Sequence, residues 1–279
     1  MDGTATDVGV VTVGITDGNG DTVVAAGTAT TNNLDGTYTY TLANRSDVGV
    51  LYVTWTRTDT SASLTRRVEV VGNRLFTEAQ ARTFTITGLQ TPLSSASEYP
   101  DSVLNEWHDR IVERFESKAH HSFIRRYCRI ELAGNGAFRL PLYEGQPRTS
   151  VGDESGGKGR WRPRKLLSVA VGGVSVDVAN VKLDHAELVR TDGTWDWATI
   201  SDPFNVVIEY EYGDNPVTED ASLAGLRMLL ANAIPTDIPQ GVVSWSNEDG
   251  SFQRDSSGWA YPVAVYEFLK SETRKVPIW

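Results

Sequence analysis

The sequence has little cysteine and lacks any long apolar run. Cys128 is the one cysteine among 279 residues, so the chain cannot build an internal disulfide framework. No apolar run approaches the length that spans a bilayer, and the first residues, MDGTAT, have neither the basic nor the apolar part of a signal peptide. We therefore expect a protein made in a reducing cytoplasm, with no export signal of the ordinary kind and no membrane partner.

Basic residues are too few for a general affinity for nucleic acid. The 26 Lys and Arg stand against 36 Asp and Glu, which gives a formal net charge of −10. The imbalance is uneven: residues 74–170 carry 15 basic and 11 acidic side chains, whereas residues 171–234 carry 3 and 11. A hydrophobic content of 40% is enough for a packed core, and the length suggests one large or two ordinary domains.

Residues 1–72 contain few helix formers, and their apolar and polar side chains alternate with the two-residue period of a strand. Val11, Val13 and Ile15 alternate with smaller or polar residues, and Asp-Gly and Asn-Gly pairs mark turns between such segments. This pattern predicts an all-β sandwich that folds on its own. The segment DGTYTYTL at Asp35–Leu42 resembles the edge of immunoglobulin-like modules.

Residues 73–279 contain apolar patterns of both helical and strand period. Together with the all-β N-terminal part, these patterns assign the whole chain to the α+β class. Asp101 or Ser102 is the predicted cap of a long helix. In this helix an apolar stripe is formed by Leu104, Trp107, Ile111, Phe115 and Ala119, and His108 is assigned to the remaining surface. The predicted elements are the long helix, a β insertion, a second helix and a C-terminal helix, at residues 101–121, 124–212, 219–234 and 262–273.

The strand that ends the β insertion has acidic residues on one face. In VVIEYEY at Val206–Tyr212, apolar and aromatic residues alternate with Glu209 and Glu211, which we predict to face water. A turn containing Asp214 follows, and Thr218 is the predicted N-cap of the second helix.

A long segment at residues 143–165 has no periodicity, and segments of this kind are usually functional or disordered. Its cations and an aromatic residue could contact phosphates and stack on a base. Alternatively, the segment is a solvated loop, or it contacts an acidic neighbour such as residues 171–234 of another copy. The acidic chain favours these alternatives. The residues concerned are Lys158, Arg160, Trp161, Arg162, Arg164 and Lys165.

No motif predicts an enzyme, a cofactor site or a metal site. Gly152–Gly159 approaches a phosphate-binding loop, but it ends in glycine where a hydroxyl is needed, and no helix start follows. Glu116 and His120 share a helix face without the spacing that would complete a zinc site. We therefore predict no catalytic, cofactor-binding or metal-binding residues.

Four segments of residues 74–279, taken in order, resemble the head-to-tail adaptor (connector) proteins of long-tailed bacteriophages. They are LFTEAQAR at Leu75–Arg82, YPDSVLNEW at Tyr99–Trp107, VVIEYEYG at Val206–Gly213 and VVSWSNEDGSF at Val242–Phe252. The N-terminal sandwich and the long segment at residues 143–165 are additions to the simplest members of that family.

The resemblance implies a structural protein of the virion neck rather than an enzyme. Its protomer would be a helix bundle with a β insertion, assembled into a ring, usually of twelve copies, beneath the portal protein. The ring would continue the DNA channel without sequence recognition and would meet a tail-completion or stopper protein. The predicted portal-binding tail is Val276, Pro277, Ile278 and Trp279, and the candidate channel or inter-subunit acids are Glu209, Glu211 and Asp214.

An alternative from a different class is a binding module on the surface of a virion or a cell. In that hypothesis the N-terminal sandwich recognises a carbohydrate or a receptor, and the rest of the chain supports it.

Overall fold

The computed structural model describes residues 9–85, 92–142, 163–184, 187–199, 202–233, 244–247, 250–254 and 260–275. Its contacts divide the chain into two compact units. The N-terminal unit comprises residues 1–72 together with Arg126–Cys128, and the second unit comprises the remaining residues from Asn73 onward. Helices and antiparallel sheets are both present, which confirms the α+β class.

The N-terminal unit is built from strands in the residues described. Four of them form an antiparallel sheet in the order β2-β1-β5-β6, and β3 pairs with β4 separately. The strands are β1 (Val11–Asp17), β2 (Thr22–Ala29), β3 (Thr31–Asn32), β4 (Tyr38–Thr39), β5 (Gly49–Arg57) and β6 (Ser63–Val70).

Alternation along two central strands supplies the core of this unit. Val13 and Ile15 of β1 and Leu51 of β5 are buried together, and Tyr40 and Leu42 from the segment after β4 pack against them. Because β1 and β5 pair without a register shift, every second side chain of each strand reaches the same face.

Among its described residues the second unit contains four α-helices. They are α1 (Glu78–Thr83), α2 (Asp101–Ala119), α3 (Glu219–Ala233) and α4 (Val263–Lys275). The helices α2, α3 and α4 contact one another. Phe115 of α2 is fully buried, with its ring 5.8 Å from that of Phe123 and 6.4 Å from that of Phe268 on α4.

Two predictions for the long helix are wrong. Neither Asp101 nor Ser102 is its cap: α2 begins after Pro100, which makes no side-chain capping bond, and ends at Ala119, with His120 in the left-handed conformation. His108 is buried, because its Nε2 accepts a 3.1 Å hydrogen bond from the backbone N–H of Leu75. A buried polar side chain that satisfies a backbone donor can take an apolar position.

In the described part of the chain, two sheets are formed by strands between α2 and α3, and a short third sheet lies between α3 and α4. Their orders are β10-β9-β13-β7, β11-β12-β8 and β14-β15-β16. The strands are β7 (Arg126–Leu132), β8 (Arg139–Pro141), β9 (Pro163–Val171), β10 (Val174–Ser175), β11 (Val181–Asp184), β12 (Glu187–Arg190), β13 (Val206–Tyr212), β14 (Ser244–Asn247), β15 (Gly250–Arg254) and β16 (Ala260–Pro262).

The strand β13 has hydrogen-bonded neighbours on both sides, β9 and β7. It runs antiparallel to β9, with Val206 opposite Val171 and Tyr212 opposite Pro163. The turn after β13 leads into α3, where the N–H of Ala221 donates to the Thr218 side chain at 3.3 Å. The turn and the start of α3 thus directly follow an interior strand of the sheet.

Candidate functional site

Most of the residues predicted to bind partners lie outside the described part of the chain. This applies to Lys158, Arg160, Trp161 and Arg162, and to the tail Val276, Pro277, Ile278 and Trp279. Arg164 and Lys165 are described, and their assignment to a loop is wrong. Both belong to β9, which begins at Pro163 and pairs with β13.

Arg164 holds the turn that follows β13. Its two terminal nitrogens donate to the carbonyl oxygens of Gly213 and Asn215 at 3.1 and 3.0 Å. On the same turn the carbonyl of Asp214 accepts a 2.9 Å hydrogen bond from Asn73. Arg164 therefore has a structural role, which the lack of periodicity in the surrounding sequence does not indicate.

Replacing Arg164 with serine is expected to lower the free energy of unfolding by about 1–2 kcal/mol, because two hydrogen bonds from a charged donor to the turn are lost, although the side chain is exposed. Urea denaturation followed by circular dichroism would measure the change. Lys165→Ser is the matched control, since this neighbouring lysine is exposed and substitutions at such positions cost at most about 0.5 kcal/mol. Equal stability of the two variants would contradict the structural role.

The expectation that Glu209 and Glu211 face water is wrong, since the two residues are only 9% and 8% exposed. Arg129 approaches Glu209 at 3.9 Å and Arg125 approaches Glu211 at 3.7 Å, while the Ser168 hydroxyl donates to Glu209 at 2.6 Å. The alternation of the strand is retained, but basic side chains cover its acidic face. Buried acids require such partners, so neither glutamate presents an open negative charge to a channel.

Asp214, the third predicted acid, is half-buried on the turn held by Arg164. Its carboxylate lies 4.0 Å from Nε2 of His121. The three acids therefore do not form one open acidic face.

A pair of loops carries an exposed aromatic residue that the sequence analysis missed. Trp195 and Trp197 are two residues apart, yet Trp195 is fully buried and Trp197 is 72% exposed. The backbone of residues 195–198 bonds to that of residues 134–137 through Trp195 N–H to Ala137 O, Gly136 N–H to Trp195 O, and Ala198 N–H to Gly134 O, at 2.7, 2.6 and 3.0 Å. We call these paired loops the Trp197 loops.

Asn205, immediately before β13, ties the Trp197 loops together. Its Oδ1 accepts from the N–H of Gly134 at 2.8 Å, and its amide group donates to the carbonyl of Asp196 at 2.9 Å and to that of Trp197 at 3.4 Å. Three polar groups of the loops are satisfied by one buried side chain, which fixes the loops to the start of β13.

Two glycines allow the loops to approach closely. A Cβ on Gly134 would lie 1.8 Å from the carbonyl oxygen of Asp196, and a Cβ on Gly136 would lie 2.1 Å from the indole nitrogen of Trp197. Gly136 also has a positive φ of 71°, where glycine is least strained. The spacing of Gly134 and Gly136 by two, like that of the two tryptophans, is the sequence signal that could have indicated paired loops.

Charged residues near the Trp197 loops are mainly acidic. Asp192, Asp196 and Asp202 are exposed. Arg190 donates to Asp192 at 3.0 Å, and this hydrogen bond lowers the pKa of the Asp192 carboxyl group. Phe138, beside the loops in sequence, is a second exposed aromatic residue, at 55%.

The described residues contain no cluster of three or more His, Cys, Asp or Glu side chains placed to hold a metal ion. Within the same part of the chain, no helix is long and apolar enough to cross a membrane. The chain matches no protein-family model, and no curated protein is significantly similar to it in sequence.

Proposed function

We propose that this chain is a head-to-tail adaptor of a long-tailed bacteriophage, which forms a ring between the portal protein and the tail. The observation that carries the proposal is the order of elements in the second unit: the long helix α2, a β insertion, α3, a short sheet and α4. This order agrees with what the sequence resemblance implies for an adaptor protomer. The mutual contacts of α2, α3 and α4 are compatible with the helix bundle that the resemblance implies.

In this proposal the N-terminal unit is an immunoglobulin-like module appended to the adaptor. Its antiparallel sheet, separate β3–β4 pair and buried Val13, Ile15 and Leu51 are compatible with a sandwich. The channel cannot depend on Glu209 and Glu211 for its negative charge, because arginines cover both. Exposed acids elsewhere in the acidic segment 171–234 take that role.

The ring is tested by electron microscopy of the purified protein, alone and mixed with the portal protein of the same virus. We expect closed rings stacked coaxially on the portal. A chain that binds the portal as single copies, or does not bind it, would refute the proposal.

Deleting Val276–Trp279 is expected to abolish co-purification with the portal while leaving the melting temperature unchanged. The reason is chemical, because the apolar residues Val276, Ile278 and Trp279 follow a highly charged segment, and tryptophan is a frequent interface anchor. Replacing the same four residues with a Gly-Ser segment of equal length separates the loss of side chains from the loss of length. Portal binding at wild-type affinity by the truncated chain would place the contact elsewhere.

A further inference from the structure

The Trp197 loops have the properties of a docking surface. Trp197 is 72% exposed, so its large apolar ring lies in water. Its backbone is nevertheless held in place by the facing loop, residues 134–137, and by Asn205. Tryptophan dominates the energetic centres of protein interfaces, and a ring on a fixed backbone loses little conformational entropy on binding. The fully buried Trp195 and the close contact at Gly136 keep the loops in one arrangement.

The charge around Trp197 indicates the chemistry of the partner. Asp196 and Asp202 are exposed on either side of it in sequence, and residues 171–234 as a whole carry 3 basic against 11 acidic side chains. A basic segment that also contains an aromatic residue would complement this surface, because arginine stacks on tryptophan faces and pairs with carboxylates. This chain contains such a segment, Arg160-Trp161-Arg162.

The short stretch of backbone between this segment and Pro163 decides which copy can supply the segment. Asn205 and the Trp197 loops lie at the Val206 end of β13, whereas Pro163, which follows the basic segment, pairs with Tyr212 at the other end. Seven residues of strand separate these ends by about 20 Å. Arg160 is three residues before Pro163, so its backbone can extend at most about 11 Å from that point. Trp161 and Arg162 are still nearer to Pro163 in sequence, so even with extended side chains they fall short of the Trp197 loops of their own copy.

We propose that the Trp197 loops receive Arg160–Arg162 of a neighbouring copy, with Trp161 and the two arginines set against Trp197, Asp196 and Asp202. This inference rests on the proposed ring, for which it names one contact between subunits. The contact is heterologous, since two different surfaces meet, and repetition of a heterologous contact forms a ring when the rotation between neighbouring copies closes.

Disulfide trapping tests which copies make the contact. In a Cys128→Ser background, one protein carries Trp197→Cys and a second carries Trp161→Cys, and the two are mixed with the portal protein and oxidised. We expect a disulfide-linked dimer in the mixture and much less of it in either protein alone. A third protein carries both cysteines in one chain. A disulfide that forms only within this chain, and not between the two singly substituted proteins, would overturn the proposal in favour of contact within one copy.

Charge reversal tests the chemistry of the contact. Arg160→Glu with Arg162→Glu is expected to weaken self-association by about tenfold or more, as is Trp197→Ala. Adding Asp196→Lys and Asp202→Lys to the first pair is expected to restore it. Glu113→Gln, an exposed acid on α2, and Val174→Ala, an exposed apolar residue, serve as controls that leave self-association unchanged.

The outcomes distinguish failure of the proposed contact from failure of the proposed ring. Rings that form on the portal with wild-type stability in the Trp197→Ala and Arg→Glu variants would overturn the contact and leave the ring standing. A wild-type chain that remains monomeric with the portal present would overturn both.

Discussion

Replacing Trp195 with alanine is expected to lower the free energy of unfolding of the second unit by about 3–5 kcal/mol. The indole is fully buried, and its N–H donates to the carbonyl of Leu188 at 3.2 Å. The Arg190 guanidinium lies 5.7 Å from the ring centre, so its packing is lost as well. The variant would leave a cavity and remove this hydrogen bond in the same place.

Trp197→Ala is the matched control, because the two tryptophans are two residues apart on the same loop. Trp197 is mainly exposed, so its removal is expected to change the free energy of unfolding by no more than about 0.5 kcal/mol. Urea denaturation followed by far-ultraviolet circular dichroism would measure both variants. Similar losses for the two would show that Trp197 supports the fold rather than a partner, and would remove the basis of the proposed docking surface.

Local patterns in the sequence predicted element types well in the second unit. The change from a two-residue to a 3.6-residue period at the turn after Tyr212 placed a strand before a helix, and Thr218 caps that helix. Such features depend on neighbouring residues, which the sequence shows directly. The α+β class follows from the same periods.

What covers a strand could not be predicted from the strand alone. Alternation placed Glu209 and Glu211 on one face, but Arg125 and Arg129, which cover them, lie about 80 residues earlier in the chain. His108 was misassigned for a similar reason, because its backbone partner at Leu75 lies on another segment. Burial of a polar residue is decided by contacts distant in sequence.

The candidate site depended even more on distant contacts. Trp197 lies in a polar segment, and its backbone is fixed by pairing with Gly134–Ala137 and by the side chain of Asn205. Arg164 looked like one cation among several in a long loop. The sheet instead directs it to the turn at Gly213 and Asn215, which gives it a separate role from the neighbouring basic residues.

Gly213→Ala is expected to be among the most damaging small substitutions in the chain. Gly213 has a φ of 86°, and a Cβ there would lie 2.0 Å from the carbonyl oxygen of Ile124. The left-handed conformation alone costs alanine about 1–2 kcal/mol. Relief of the clash requires backbone movement of a turn whose carbonyls are held by Arg164 and Asn73. We expect a total loss on the order of 3 kcal/mol or more.

Gly173→Ala separates the two contributions, because Gly173 has a φ of 78° and open space around its Cβ position. That variant is expected to lose only the conformational part, about 1–2 kcal/mol, so the difference between the two variants measures the close approach of Gly213 to Ile124. Urea denaturation of both proteins would give the difference. Equal losses would mean that the turn yields without cost, and that the Arg164 and Asn73 hydrogen bonds do not hold it rigidly between β13 and α3.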